Sequence, residues 1–380
     1  MKFRNAHLAY CTNIHPAETW GETLEALTNH TLKVRDKVGA QPYAIGLRLS
    51  AIAAKELLEG ENLPNFQQWL DQENCYVFTI NGFPYGSFHG TRVKEKVYQP
   101  DWASQERLDY TKDLFKIIAQ LVPEGVDGSV STLPGSFKEF NADESAIFKN
   151  LEACADYIEA LSDEYGRDLH LGLEPEPLGH FENTEETLAF FDRFLNTVSD
   201  PELIKRRIGI NYDTCHFALE FDDCYQSLDA LRSAGLRISK VHLSSALEFN
   251  PTSEEALKKI EAFDEPTYLH QVIVQHKDQS LTRFKDLPDF LTQHSKLNIQ
   301  NLHAARVHFH IPLYSEPEKP LGSTNSHATE ALAYLGENPE FCTHFEIETY
   351  TWGVLPSDLQ IPIEDQIAKE YAWVMLDRTV

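Results

Sequence analysis

The chain has 380 residues, 42% of them hydrophobic and 11% aromatic, with a formal net charge of −26. That is enough apolar material for one large α/β barrel or for two domains. The charge argues against nucleic acid and anionic membrane surfaces as partners, and it suits a site that collects a cation.

The N-terminus, MKFRNAHLAYCTNIHP, has no apolar core like that of a secretory signal, and no run of about 18 apolar residues follows it. A cytoplasmic protein without stable membrane insertion is expected. The six cysteines (Cys11, Cys75, Cys154, Cys215, Cys224, Cys342) are scattered and form no CxxC pair, so they are expected as reduced thiols.

Taken in chain order, short apolar runs alternate with stretches of helical period. The runs are 7–12, 44–50, 76–81, 129–133, 170–176, 208–213, 238–244, 307–312 and 344–350. Leu108, Phe115, Ile118 and Leu121 line one face of a helix before the fourth run. Ile147, Leu151, Ile158 and Leu161 do the same before the fifth. Asn183 with Glu186 has the pattern of a capping box, and Gly235 is placed to end a short helix carrying Leu228 and Leu231. Strand and helix in alternation predict a parallel sheet, and eight such units close a TIM (β/α)8 barrel over residues 1–380. Nine runs are one too many. An insertion is expected at 245–306, with a further strand possible at 268–274. The Gly-, Pro- and aromatic-rich stretch 81–102 reads as a long loop over one barrel mouth.

In such a barrel the C-terminal strand ends converge on one mouth. Those ends carry carboxylates and imidazoles, which are costly to bury without a partner. The fifth run ends in Glu174 and Glu176, with Glu182 shortly after. The sixth supplies Asp213 and His216, and the seventh His242. The eighth supplies His308 and His310, and the last Glu346 and Glu348. His7, Asn13 and His15 belong to the first. Carboxylates mixed with imidazoles suit a divalent ion (Mn, Zn, Fe or Mg) with open positions. The metal candidates are Glu174, Glu176, Asp213, His242, Glu348 and His310. Glu174 or Glu176, together with Glu348, are candidate catalytic carboxylates. His216, Glu182, His308, His7, Asn13 and Glu346 are candidate substrate contacts.

Plainer roles compete. A single strand histidine is more often a hydrogen-bonded core residue, and Glu174 or Glu176 can pair with outer helices. Glu346 can be a layer residue deeper in the barrel. Cys215 points away from Asp213 and His216 if the chain there is extended, and reads as packing. The chemistry such a site supports is polyol or sugar chemistry, with proton loss beside a metal-polarised carbonyl and a carboxylate as base.

The order LEPEP (173–177), YDTCH (212–216), VHL (241–243) and IET (347–349) resembles the xylose isomerase-like TIM barrel superfamily. HLAYCTNIHPAETW, VHFHIPL and HFEIETYTWGVLP add a narrower resemblance to the EboE family of metabolite-traffic proteins. The superfamily resemblance implies a metal on Glu174 or Glu176, Asp213, His242 and Glu348, with His216 and Glu182 at the substrate. If ISKVHLS is the extra strand, a histidine of the HFH run replaces His242. Three readings follow: a metal-dependent sugar or sugar-phosphate isomerase or epimerase, a non-catalytic metabolite-binding component, and an endonuclease IV-like metal hydrolase. The expected partners are a small polyhydroxylated metabolite and proteins of the same operon.

Overall fold

The computed structural model describes residues 1–90, 92–356 and 360–376. Eight parallel strands form the barrel: β1 (Ala6–Tyr10), β2 (Tyr43–Arg48), β3 (Cys75–Asn81), β4 (Gly128–Thr132), β5 (Leu169–Leu173), β6 (Ile208–Asp213), β7 (Ile238–Leu243) and β8 (His344–Ile347). Each from β2 onward pairs in parallel with the next, and β8 returns to β1. A parallel bridge between Cys11 and Gly46 joins β1 to β2. The short strand Lys2–Phe3 folds antiparallel onto β1 and is the ninth member of the sheet.

The barrel strands are covered by helices on one side and fill the barrel on the other, so they read as near-continuous apolar runs. Helices Gln105–Leu121 and Glu144–Tyr165 bury the apolar faces seen in the sequence. The Asn183 side chain accepts from the Glu186 N–H and starts the helix Thr184–Thr197. Gly235, at φ +70°, turns the chain after Cys224–Ser233. No helix among the described residues is long and apolar enough to cross a membrane.

The surplus run is the eighth, 307–312, which begins at the end of a strand of a second sheet. Between β7 and β8 the chain builds five antiparallel strands, 281–284, 272–276, 302–307, 247–249 and 321–323 in spatial order. They have their own apolar core, which includes Phe249, Phe284, Phe290 and Phe309. This sheet runs past the boundary at 306 that the sequence suggested. Its strand over 268–274 starts later than expected, at Val272.

ISKVHLS is therefore a barrel strand and VHFH is not, so His242 is not displaced by the HFH run. The two could not be told apart by pattern, because a buried segment without strand pairing, such as 308–312, is as apolar as a barrel strand. Residues His308 to Pro312 leave the second sheet and cross the barrel mouth. The loop after β3 also lies there. Its Phe88 and Val93 pack on Tyr268 of the insertion, and the Val93 N–H donates to the Thr267 carbonyl at 2.9 Å.

One buried acid ties the insertion to the barrel. Glu370, on helix Ile363–Met375, accepts from the Leu313 N–H at 3.1 Å and the Thr349 hydroxyl at 2.6 Å. Burial raises its carboxyl from 4.5 to about 7. A raised acid stabilises fully below its unfolded value, and that contribution is lost as pH rises through the folded value. Glu370→Gln keeps an acceptor without the ionisation. Its melting temperature should therefore gain on wild type between pH 5 and pH 8, by the equivalent of about 3 kcal/mol at the alkaline end. Parallel melting curves for the two proteins would refute this.

Candidate metal centre

β6 ends at Asp213, and its register places Asp213 opposite His242 of β7. Glu174 follows the last residue of β5, and Glu348 follows the last of β8. These four side chains meet. His242 Nδ1 lies 3.2 Å from Glu174 Oε1, 3.6 Å from Asp213 Oδ2 and 3.1 Å from Glu348 Oε2. All four are buried.

Each carboxylate has one oxygen committed elsewhere. Asp213 Oδ1 accepts from the N–H groups of Cys215 and His216 and from the Ser244 hydroxyl. Glu348 Oε1 accepts from Asn13 at 2.8 Å and Asn81 at 3.1 Å. Glu174 Oε2 accepts from Asn211 at 2.8 Å. The other oxygens face the centre, and Asp213 Oδ2 has no hydrogen-bond partner.

Three carboxylates around one imidazole in a dry site are strongly unfavourable without positive charge. In the chain alone, His242 carries that charge. Burial pulls its basicity down, but Glu348 and Glu174 hold it well above the ordinary imidazole value. Burial likewise opposes ionisation of Asp213, and the imidazoles of His216, His310 and His242 outweigh it. An oxygen-rich donor set with one nitrogen and an orphaned carboxylate oxygen fits a divalent cation.

Behind His242, Nε2 lies 2.9 Å from Glu346 Oε2, and the same oxygen accepts from Lys240 Nζ at 2.6 Å. Histidine ligands are commonly oriented this way by a carboxylate. Glu346 is thus a positioning residue, and the expectation that it contacts substrate is corrected. It shares a face with Glu348 but lies two residues deeper, about 7 Å down the barrel. His7 is corrected for a similar reason. It opens β1 at the opposite end of the barrel, bonded to the Tyr76 hydroxyl at 2.7 Å and packed against Phe78 and His344. Glu182 pairs with Lys138 and accepts from the Leu178 N–H, away from the four-residue cluster.

Glu176 stands apart from the four donors. Its Oε2 lies 3.4 Å from His216 Nδ1 and its Oε1 3.8 Å from His308 Nδ1. Burial first, then Glu174, Asp213 and Glu348, raise its carboxyl well above the ordinary range. Residues Thr214–Leu219 form a helix capped by Asp213, so alternation does not apply to Cys215. Its sulfur lies within 4.8 Å of ring nitrogens of His308 and His310. The Tyr10 hydroxyl bonds to His15 at 2.9 Å, away from the cluster.

Over the donors lies a narrow cavity of about 60 Å³, partly open to solvent. Its floor includes Glu174, Glu176, Glu348, His216 and His308, and Phe83, Phe88, Val93, Tyr98, Tyr268 and Tyr350 stand around it. Lys94 is the one lysine or arginine on its wall among the described residues, and it is paired with Asp286. Asn81, Asn211 and Lys240 are site residues that sequence reasoning missed. Their one signal is a polar side chain inside or ending an apolar run.

No family model matches this sequence, and no curated protein does. Solved structures do. One is the probable 3-DHS dehydratase AsbF, involved in petrobactin synthesis, from Bacillus anthracis. It is 12% identical, with 98% of this chain and 99% of that chain covered and a TM-score of 0.51. A D-psicose 3-epimerase solved in the presence of D-fructose is 12% identical over 97% and 99% of the chains, with a TM-score of 0.49. A xylose isomerase domain containing protein from Salmonella typhimurium LT2 is 12% identical over 98% and 97%, with a TM-score of 0.45. At such identity the likeness concerns the fold alone: this is an α/β protein with a TIM (β/α)8 barrel.

Proposed function

We propose that the chain is a divalent-metal-dependent isomerase or epimerase acting on a small hydroxy-carbonyl metabolite. The observation that carries this reading is the convergence of Glu174, Asp213, His242 and Glu348 on one point at the barrel mouth. These four would hold the ion. When bound, it polarises the substrate carbonyl and eases proton loss at the neighbouring carbon. Asn13, Asn81 and Asn211 orient the carboxylates so that one oxygen of each faces the substrate side. Glu176 lines the cavity without joining the cluster, so its carboxyl is free to take a proton from one carbon and return it to another. Phe88, Val93, Tyr268 and Tyr350 stand around the site and narrow the access of water to it.

The wall also favours one form of substrate. A phosphate needs cationic or clustered N–H partners, and Lys94 is already held by Asp286. An unphosphorylated substrate with hydroxyls at the floor and an apolar body against the aromatic wall fits best. The EboE resemblance adds a place in metabolite processing or traffic, in company with proteins of the same operon.

The test is proton exchange. In deuterium oxide with Mn²⁺, the protein should wash deuterium into an unphosphorylated hydroxyketone, seen by NMR. D-fructose and 2-hydroxyacetophenone are suitable probes, with fructose 6-phosphate for comparison. Glu176→Gln should slow the exchange by about 100-fold or more. Exchange into the phosphorylated sugar alone would overturn the substrate reading. No exchange into any of a broad panel, with metal bound, would make the barrel a capture module.

A further inference from the structure

Beside the carboxylate-rich cluster lie three imidazoles that the mechanism above does not use. His216 comes from the start of the helix after β6, and His308 and His310 from the segment leaving the second sheet. Each ring has its Nδ1 engaged with a carbonyl oxygen. His216 Nδ1 is 2.8 Å from the Pro175 carbonyl, His308 Nδ1 is 2.7 Å from Gln271 Oε1, and His310 Nδ1 is 3.1 Å from the Glu348 carbonyl. The Gln271 amide is itself oriented, since its Nε2 donates to the Pro177 carbonyl at 2.9 Å. A carbonyl can only accept, so the proton of each neutral ring is on Nδ1. Every Nε2 is then a bare lone pair.

His308 Nε2 and His310 Nε2 face each other at 3.2 Å. Two lone pairs at that distance repel unless a cation stands between them. Two nitrogens bound tetrahedrally to one ion, at about 2.0–2.1 Å each, stand about 3.4 Å apart. The ring of His216 joins the pair, with centroids 4.8 Å from His308 and 5.5 Å from His310. All three residues are buried. An oxygen donor is at hand on one side: ligand atoms of Asp213, His216 and His310 lie within 4.8 Å of one another.

We propose that His216, His308 and His310 form a second divalent-cation site, adjacent to the first and completed by the insertion. Three neutral imidazoles select a borderline ion such as Zn²⁺, Co²⁺ or Ni²⁺ over Mg²⁺, whereas the first site, with three carboxylates, also accepts Mg²⁺ and Mn²⁺. Asp213 is the wall between the two sites, with Oδ2 toward His242 and Oδ1 3.9 Å from His216 Nε2. His216 and His308 also line the cavity, so the second site opens on the same space. This inference does not depend on the isomerase reading.

The test is metal stoichiometry on the full chain, stripped with a chelator and reloaded with Zn²⁺ or Co²⁺, read by elemental analysis after desalting. Wild type should hold two ions per chain with Zn²⁺ and one with Mg²⁺ or Mn²⁺. His308→Ala and His310→Ala should each hold one zinc. Glu348→Gln, which keeps the carbonyl facing His310, should lose the other. X-ray absorption on zinc-loaded wild type guards against variants that misfold: two filled sites average about two imidazoles per zinc, and the first site alone shows one. One zinc per chain at saturation, lost in Glu348→Gln and kept in both histidine variants, means that the His308–His310 pair shares a proton, and the proposal falls. Two zincs retained in both histidine variants would place the second ion elsewhere and equally overturn it. If instead the four-donor cluster is not a site, wild type holds one zinc, Glu348→Gln keeps it and the histidine variants lose it.

Discussion

Asp213→Asn should empty the four-donor site while leaving the barrel folded. Asparagine caps a helix about as well as aspartate, and its side-chain oxygen can still accept from the Cys215 and His216 N–H groups. What changes is the other atom. The orphaned Oδ2, which faces His242 and the neighbouring carboxylates, becomes an amide N–H₂ that repels a cation. Loss of groups that merely orient ligands weakens metal binding about 10–100-fold, so loss of a ligand should weaken Mn²⁺ binding by about 100-fold or more. The metal-free variant should melt below metal-free wild type, because the imidazoles of His216, His310 and His242 lose the carboxylate charge that they stabilise. Added Mn²⁺ at about 100 times the wild-type Kd should stabilise wild type by about 2.7 kcal/mol and the variant hardly at all. Calorimetric titration with paired melting curves decides this. Equal Mn²⁺ affinity in the two proteins would remove Asp213 from the centre.

Glu346→Gln should be the more damaging change to the fold. Lys240 and Glu346 are both fully buried, and their contact is 2.6 Å. Removing the carboxylate leaves an ammonium stranded in the barrel, which costs about 3–5 kcal/mol. His242 loses its Nε2 partner at the same time, and metal affinity should drop about 10–100-fold. The double variant with Lys240→Met separates the effects. Stability should largely return, since no buried charge is left unpaired, whereas metal affinity should stay low. Recovery of both would mean that Glu346 serves only to neutralise Lys240.

The pair also sets an acid limit. Burial pushes the Glu346 carboxyl up, but Lys240 and His242 more than offset this and bring it from 4.5 to about 2. Its contribution is therefore present above about pH 4.5 and lost as pH falls toward 2. The Glu346→Gln variant should lose less stability than wild type over that interval.

The eight barrel strands were legible in the sequence because each is a short apolar run followed by helical periodicity. The four donors at the centre were legible as polar residues at the ends of those runs. Glu174, Asp213, His242 and Glu348 each stand where burial would be costly without a partner, and the structure brings them within contact of His242 Nδ1. Alternation reports which face of a strand a side chain takes, but not its depth along the barrel. Glu346 and Glu348 share a face, yet one lies behind the histidine and the other at the mouth. His7 had the right residue type at the wrong end of its strand. Cys215 is buried, but the extended chain assumed there is the first turn of the helix Thr214–Leu219.

The sequence by itself determined the fold class and which residue types had to find partners, because periodicity and burial cost are local properties. The tertiary structure alone decided that VHFH lies outside the barrel and that Glu174, rather than Glu176, joins the four donors. It also decided that Asn81 bonds to Glu348, Asn211 to Glu174 and Lys240 to Glu346, and that three imidazoles from two distant segments share one space. Those outcomes depend on strand register and on where an insertion of its own sheet comes to rest. Both are set by packing between segments far apart in the chain, to which no local pattern is sensitive.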